Sequence, residues 1–138
     1  MNLFQLGNFT LRSGQKSSWK IDCDALTPDD WAALAKMTSE ILPPFSSVYG
    51  VPRGGIPFEE LLRQYVTGNP NHPVLIAEDV VTTGGSMERF VEQLRVERFD
   101  GDFKYVGVAV FARGHYPNWI KPLFCMPGAW PITTGDGE

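Results

Sequence analysis

Three short apolar runs alternate along the chain with stretches of helical periodicity, and this alternation restricts the fold more than any other feature. The runs cover residues 48–51, 74–77 and 105–111. Unbroken apolar runs of this length are typical of strands that are covered on both faces. Between them, apolar residues three or four positions apart predict helices over residues 58–65 and 87–94. This order predicts the α/β class, with a small parallel sheet, helices on its faces and right-handed crossovers.

The segments on either side of these runs carry signals of their own. Thr27 is a good N-cap and Pro28 suits the first helical position, so we expect a helix from there until the Pro-Pro pair at residues 43–44. Residues 123–125 are a candidate fourth strand. The polar segment 8–26 predicts short strands and turns rather than a core element.

Composition excludes several classes of protein. A chain of 138 residues suits one domain, and we expect one over 1–138, with the α/β core at 27–126 and a tail, frayed at its end, at 127–138. The net charge of -4 argues against a nucleic-acid partner. No apolar stretch approaches the roughly 20 residues that cross a bilayer, so no membrane partner is expected. Cys23 and Cys125 are in no metal-like spacing, which favours reduced thiols in the cytoplasm.

Residues 74–86 carry the most informative motif. Glu78 and Asp79 follow an apolar strand, at the sheet edge where open parallel sheets bind ligands. A loop of small residues then opens into a helix, and its glycines, hydroxyls and helix N-terminus suit a phosphate monoester. The two carboxylates can accept hydrogen bonds from vicinal sugar hydroxyls or hold the waters of Mg²⁺. The loop residues are Thr82, Thr83, Gly84, Gly85 and Ser86.

Two alternatives to this interpretation are weak. A turn that only caps the helix does not need two adjacent acids on an apolar strand. A nucleoside triphosphatase is disfavoured because the loop lacks the lysine of the G-x-x-x-x-G-K-[ST] motif.

A second glycine-containing loop follows the first apolar run. Arg53, Gly54 and Gly55 lie between a predicted strand and a predicted helix, so the loop should reach the same sheet edge. The glycines free the backbone to face an anion, and Arg53 offers a planar fork for phosphate oxygens. Alone, this sequence would more often be an ordinary turn with a solvated arginine. Together with the first loop it predicts a site for a second phosphate group.

The pattern V-L-I-A-E-D-V-V-T-T-G-G-S resembles the signature of the type I phosphoribosyltransferases. The resemblance implies that phosphoribosyl pyrophosphate (PRPP) binds with its 5-phosphate on residues 82–86 and its ribose hydroxyls on Glu78 and Asp79. The loop of Arg53 would bind the pyrophosphate, and its R-G-G is closest to the xanthine-guanine branch. Mg²⁺ would come with PRPP and reach Asp79 through a water. The two acids would then favour a cationic transition state, while Arg53 takes up charge on the departing pyrophosphate.

The N-terminal segment is similar to the hood of orotate phosphoribosyltransferases, which opens with F-T-L-[KR]-S-G. Here the hood covers residues 1–26, and Arg12 stands at the basic position that contacts orotate in that family. Arg113, in an A-R-G sequence after the third strand, resembles the second orotate-contacting arginine. Two arginines can pair bidentately with the carboxylate of orotate. Orotate is therefore the expected base and a purine the alternative, although each arginine alone would more often be a surface charge.

Two departures from the family pattern bear on catalysis. The chain is shorter than typical members, and residues 66–73 stand where orotate enzymes carry a long mobile loop with lysine and histidine, leaving His72 as a candidate remnant. Either a reduced lid suffices, or the aromatic segment 115–119 covers the site, or the chain is a PRPP- or nucleotide-binding module without turnover. Family members are commonly homodimers, so Trp119 and Trp130 are expected either in such an interface or in the core.

Overall fold

The computed structural model describes residues 1–132, which contain three α-helices, two short 3-10 helices and eight strands. An N-terminal hairpin precedes the first helix, and strands and helices then alternate as far as the third strand of the main sheet. The elements are β1 (Phe4–Thr10), β2 (Lys16–Ile21), α1 (Pro28–Ile41), β3 (Val48–Gly50), α2 (Ile56–Leu62), β4 (Val74–Val81), α3 (Gly85–Glu97), β5 (Tyr105–Ala112), β6 (His115–Pro117), β7 (Ile120–Cys125) and β8 (Trp130–Ile132).

The main sheet has four parallel strands in the order β3-β4-β5-β7. Leu75 lies opposite Val48 and Val106 on its two sides, so β4 is a central strand. The α/β class and the parallel sheet are therefore confirmed, and the fourth strand is longer than residues 123–125. One connection differs from the predicted alternation: the chain returns from β5 to β7 through residues 113–119, which contain the short strand β6 and no helix.

Helices cover both faces of this sheet. Leu75 and Ala77 of β4 point to the face covered by α1 and α2, and both are fully buried. Ile76, which is also fully buried, points to the opposite face, where α3 packs. Because successive side chains of a strand alternate between faces, an unbroken apolar run is what two covered faces require.

The first helix begins and ends where its sequence predicts. Thr27 and Asp30 form a capping box, in which each side chain accepts a hydrogen bond from the other's backbone amide. Such a cap stabilises a helix by about 1 kcal/mol. Pro28 is at the start of the helix, and Leu42 is the C-cap just before the two prolines. None of the helices within residues 1–132 has the length and apolar character that a membrane crossing requires.

The two ends of the chain add small sheets. β1 and β2 form an antiparallel hairpin in which Phe4 is opposite Ile21, so the segment expected to be short strands and turns is a hairpin. Near the other end, β8 pairs in parallel with β6. Part of the tail expected over residues 127–138 therefore forms a strand, and residues 133–138, expected to fray, lie outside the described residues.

Candidate functional site

The carboxyl ends of β3 and β4 bring the two glycine-containing loops together. The Val51 amide donates a hydrogen bond to the Ala77 carbonyl (2.8 Å), which carries the pairing one residue beyond β3. The bend that follows contains a cis peptide bond between Pro52 and Arg53. Gly54 packs so closely on the Asp79 carboxylate that a Cβ atom there would overlap its oxygens. The arginine–glycine bend therefore lies directly beside the acids of β4.

The Glu78 carboxyl group is almost completely buried, with 1% of the residue exposed. Its Oε2 accepts hydrogen bonds from Arg12 Nη1 and Ser86 Oγ, both at 3.1 Å, and its Oε1 accepts one from the Asp79 amide. Burial, followed by the hydrogen bond and the charge of Asp79, raises the pKa of Glu78 to about 8, and Arg12 opposes the shift. Glu78 is thus mostly protonated below neutral pH.

The loop after β4 has the geometry of an anion cradle. Gly84 is the N-cap of α3 and adopts a φ of +88°, a left-handed conformation that side chains rarely accept. A Cβ atom at Gly84 would also collide with Pro117 of β6. The Gly85 amide donates to Thr83 Oγ1 (3.3 Å), and the other amides of the first turn have no partner in the helix. This loop lines a cavity of about 420 Å³ together with Glu78, Asp79 and hood residues.

A second cavity of about 1020 Å³ lies on the other side of Asp79. The Arg53–Gly54 bend and the start of α3 line it, and Asp22, Cys23 and Asp24 come from the segment after the hairpin. Burial, helped by the charge of Asp79, raises the pKa of the Cys23 thiol, which keeps it neutral. The two cavities share five residues: Arg12, Ile21, Asp79, Ser86 and Arg89. The two loops therefore open into adjoining spaces.

The two arginines predicted to bind the base both line the smaller cavity, and each already has protein partners. Arg12 bridges the acids, with Nη1 3.1 Å from Glu78 and Nη2 3.8 Å from Asp79, and 55% of its side chain is exposed. Arg113 donates to Ser17 Oγ (2.8 Å) and to the Trp19 carbonyl, and its guanidinium lies 3.6 Å from the centroid of the Trp19 ring. Burial lowers the pKa of Arg113. Arg113 thus fastens the hood to the core.

Three further cavity residues were not singled out from the sequence. Phe9 and Lys20 lie on the hood side of the smaller cavity, with Lys20 Nζ 5.0 Å from the centroid of the Phe9 ring. Arg89 lies on α3 and lines both cavities. The sequence allows the position of Arg89 to be predicted, because residues four apart on a helix lie on one face and Gly85 belongs to the predicted loop. Phe9 opens the hood motif, but neither its place in the cavity nor that of Lys20 follows from the sequence, since both depend on how the hairpin docks.

Neither of the segments considered as a cover for the site lines these cavities. Residues 66–73 lead into the amino end of β4, at the opposite sheet edge, where His72 Nδ1 is hydrogen-bonded to Thr67 Oγ1 (2.8 Å). In the segment 115–119, Trp119 packs against Tyr105 and Gly107 on the face of α3. That segment contacts the loop of residues 82–86 through Pro117, and Trp119 is partly buried against the core.

The residues present suit a metal ion carried by the substrate better than a resident one. Among residues 1–132, no group of three or more His, Cys, Asp or Glu side chains could hold a metal ion. Asp79 offers one carboxylate on a cavity wall, with 15% of its side chain exposed. Mg²⁺ usually keeps several waters and binds one or two carboxylates together with substrate phosphates, and this donor set fits that mode.

The chain is similar to curated and solved orotate phosphoribosyltransferases. That of Sulfolobus acidocaldarius is 30% identical, and the match covers 67% of this chain and 60% of the relative. That of Methanospirillum hungatei is 33% identical, with 66% of each chain covered. The crystal structure of the enzyme from Aeropyrum pernix superposes with a TM-score of 0.65 at 25% identity, over 80% of this chain and 76% of that chain. No protein-family model matches. The chain spans about two thirds of the length of these curated relatives or somewhat less.

Proposed function

The chain belongs to the type I phosphoribosyltransferase family and is most like its orotate members, and on this premise we propose that it transfers the phosphoribosyl group of PRPP to orotate. The observation that carries the proposal is the contact between Gly54 and the Asp79 carboxylate. This contact supports the proposal because it brings the arginine–glycine bend beside the acids of β4 and the loop that follows them. A pentose with a phosphate at one end and a pyrophosphate at the other has the size and charge to span the two adjoining cavities.

The proposed assignment divides PRPP among the parts of the site. The 5-phosphate lies on Thr82, Thr83, Gly84, Gly85 and Ser86, whose amides and hydroxyls are donors. The ribose hydroxyls donate to Glu78 and Asp79, and the pyrophosphate lies against Arg53, Gly54 and Gly55. Arg53 has no ion-pair partner among residues 1–132, so its guanidinium is available to phosphate oxygens. The base then faces the hood, where Arg12 and Arg113 lie.

The reaction is a displacement at ribose C1. The bond between C1 and the pyrophosphate oxygen breaks, and its electron pair leaves with pyrophosphate. The lone pair of a base nitrogen forms the new C1–N bond, and the proton of that nitrogen passes to solvent. Asp79, and Glu78 when ionised, stabilise positive charge on the ribose, and Arg53 stabilises the departing anion. Mg²⁺ bound with PRPP would neutralise part of the pyrophosphate charge.

A second candidate is a PRPP- or nucleotide-binding module without turnover. It is favoured by the position of residues 66–73, which lie at the sheet edge away from the site and bring no cation to it. A purine phosphoribosyltransferase is the alternative for the base. We also propose a homodimer, and a cytoplasmic setting that would suit the two free thiols, Cys23 and Cys125.

A base screen separates these possibilities. The protein is mixed with PRPP and Mg²⁺ and with orotate, uracil, guanine, hypoxanthine or xanthine in turn, and pyrophosphate release is measured. We expect release with orotate, and loss of release when Mg²⁺ is removed. Release with purines alone would overturn the choice of orotate. Tight PRPP binding without release for any base would favour the binding module.

The same assay with Asp79→Asn shows whether activity belongs to this site. The variant should bind PRPP at least about tenfold more weakly, since a charge-assisted hydrogen bond contributes about 1.5–3 kcal/mol. Asp102→Asn is the matched control, because Asp102 is exposed and its one ion-pair partner within residues 1–132 is Arg95. Equal PRPP affinity in wild type and Asp79→Asn would remove Asp79 from the site.

A further inference from the structure

We propose that Arg89 is a phosphate-binding residue that contacts the 5-phosphate of the pentose substrate. This assignment rests on the proposed function. The loop of residues 82–86 offers a phosphate only backbone amides and hydroxyls, and Arg89 would add a positive charge. Arg89 is outside the strand, the acids and the loop that carry that motif.

The position of the Arg89 guanidinium is the first argument. Arg89 follows Gly85 by four residues on α3, so the two lie one above the other on the same helix face. Helical side chains lean towards the N-terminus, which points Arg89 back at the loop. A Cβ atom at Gly85 would lie 3.2 Å from Arg89 Nη1. The guanidinium therefore lies over Gly85, the first residue of the helix, which lines the smaller cavity.

The charge balance around Arg89 is the second argument. Arg89 is exposed to solvent, and the partial positive charge of the nearby helix N-terminus does not attract its guanidinium. Among residues 1–132, Arg89 has no hydrogen-bonded or ion-paired partner, whereas Arg12, Arg63 and Arg95 each contact a carboxylate. An anion bound between the helix N-terminus and the Arg89 guanidinium would be attracted by both positive charges. Arginine suits a phosphate in that place because its planar fork can bind two oxygens.

The geometry favours the 5-phosphate over the pyrophosphate. Arg89 lines both cavities, but the residue its guanidinium covers, Gly85, lines only the smaller one. The larger cavity already has Arg53 on its wall. Arg53 thus lines the larger cavity, Arg89 covers a residue of the smaller one, and Asp79 lines both cavities.

Calorimetric titration with three ligands tests the assignment. Ribose 5-phosphate, pyrophosphate with Mg²⁺, and PRPP are titrated into wild type, Arg89→Met, Arg89→Lys and the control Lys36→Met. Arg89→Met should bind ribose 5-phosphate and PRPP about tenfold more weakly, and Arg89→Lys should lose less. Pyrophosphate affinity should not change. Lys36 is exposed on α1 and pairs only with Glu40, so Lys36→Met should match wild type with all three ligands.

The outcomes distinguish this assignment from the proposed function. Equal ribose 5-phosphate affinity in wild type and Arg89→Met would overturn the role of Arg89 and leave the proposed function standing. Weaker binding of pyrophosphate alone would overturn the choice of the 5-phosphate. A wild-type protein that binds neither PRPP nor ribose 5-phosphate would overturn the proposed function and this assignment together. Equal thermal unfolding of Arg89→Met and wild type would show that the loss is local to the site.

Discussion

Glu78 and Asp79 are neighbours in the sequence, but the pleat of β4 sends their side chains to opposite faces of the sheet. Glu78 meets Ser86 at the start of α3 and is buried there. Asp79 points towards Gly54 and remains partly exposed. Two identical functional groups therefore have different environments. The sequence predicts that both acids reach the sheet edge, but the difference in burial follows from the helix packed on each face.

The raised pKa of Glu78 leads to a prediction about pH. Because the folded protein holds a proton that the unfolded chain releases, the free energy of unfolding should fall as the pH rises from about 4.5 to about 8. Glu78→Gln removes this effect. We therefore compare the free energy of unfolding of Glu78→Gln with that of wild type at pH 5 and at pH 8. The variant minus wild-type difference should be more positive at pH 8 by at least about 1.4 kcal/mol, the equivalent of one pKa unit.

Urea denaturation at both pH values measures this difference. Glu60→Gln, an exposed position on α2, is the matched control and should show no such trend. A constant difference between Glu78→Gln and wild type across the pH range would contradict the raised pKa.

At the scale of elements, the hood contacts the core through residues that are far apart in the sequence, and Arg113 is one of them. Arg113 contacts Ser17 and Trp19, which precede it by 96 and 94 residues. The other elements begin at local signals, such as the Thr27 cap of α1 and the glycines before α3. No local signal specifies the docking of a hairpin. For this reason, the sequence predicts strands in the hood but does not predict that Phe9 and Lys20 line a cavity.

Removing the Arg113 contact should loosen the hood and leave the core intact. Arg113→Met loses hydrogen bonds from a charged group and the stacking on Trp19, so we expect a loss of about 1–3 kcal/mol in the free energy of unfolding. Hydrogen exchange of the β1 and β2 amides should accelerate, while exchange in β4 changes less. Arg98→Met is the matched control, because Arg98 is exposed and only stacks on Tyr49. Unchanged protection of the hairpin amides would refute this role of Arg113.

For the whole molecule, the sequence predicts the sheet and the loops well because both depend on local patterns. Apolar runs specify buried strands, and glycines after strands mark backbone that approaches a ligand or another chain segment. Two features depend on tertiary contacts and were not predicted. The connection from β5 to β7 has no helix. The Arg12 guanidinium contacts Glu78 and Asp79, whereas the sequence predicts that it is available to the base.

An exposed apolar surface supports the proposed homodimer. Phe4 packs edge-to-face on Phe111, Phe124 packs against the same ring at a tilt, and the two are 51% and 43% exposed. Leu6, which is 90% exposed, follows Phe4 on the same side of β1, and β7 is an edge strand. Exposed apolar patches beside a free strand edge mark association surfaces.

Sedimentation over a range of concentrations should show a dimer. Phe124→Asp should raise the dissociation constant of this dimer by at least about tenfold. Such a charge would be buried in the interface at a cost of more than about 1.4 kcal/mol. Val96→Asp is the control, because Val96 is exposed on α3. A wild-type protein that sediments as a monomer at every concentration would contradict the dimer.

The bridge from Arg12 to both acids changes how the affinity of this site should be understood. Arg12 gives both acids a cationic partner, so a sugar hydroxyl that binds them as proposed would compete with that partner. The affinity for the sugar would therefore reflect the new hydrogen bonds less the lost contacts with Arg12, and would be lower than the new hydrogen bonds alone would give. Because Arg12 belongs to the hood, ribose binding at the proposed position would also rearrange the side of the smaller cavity where the base is proposed to bind.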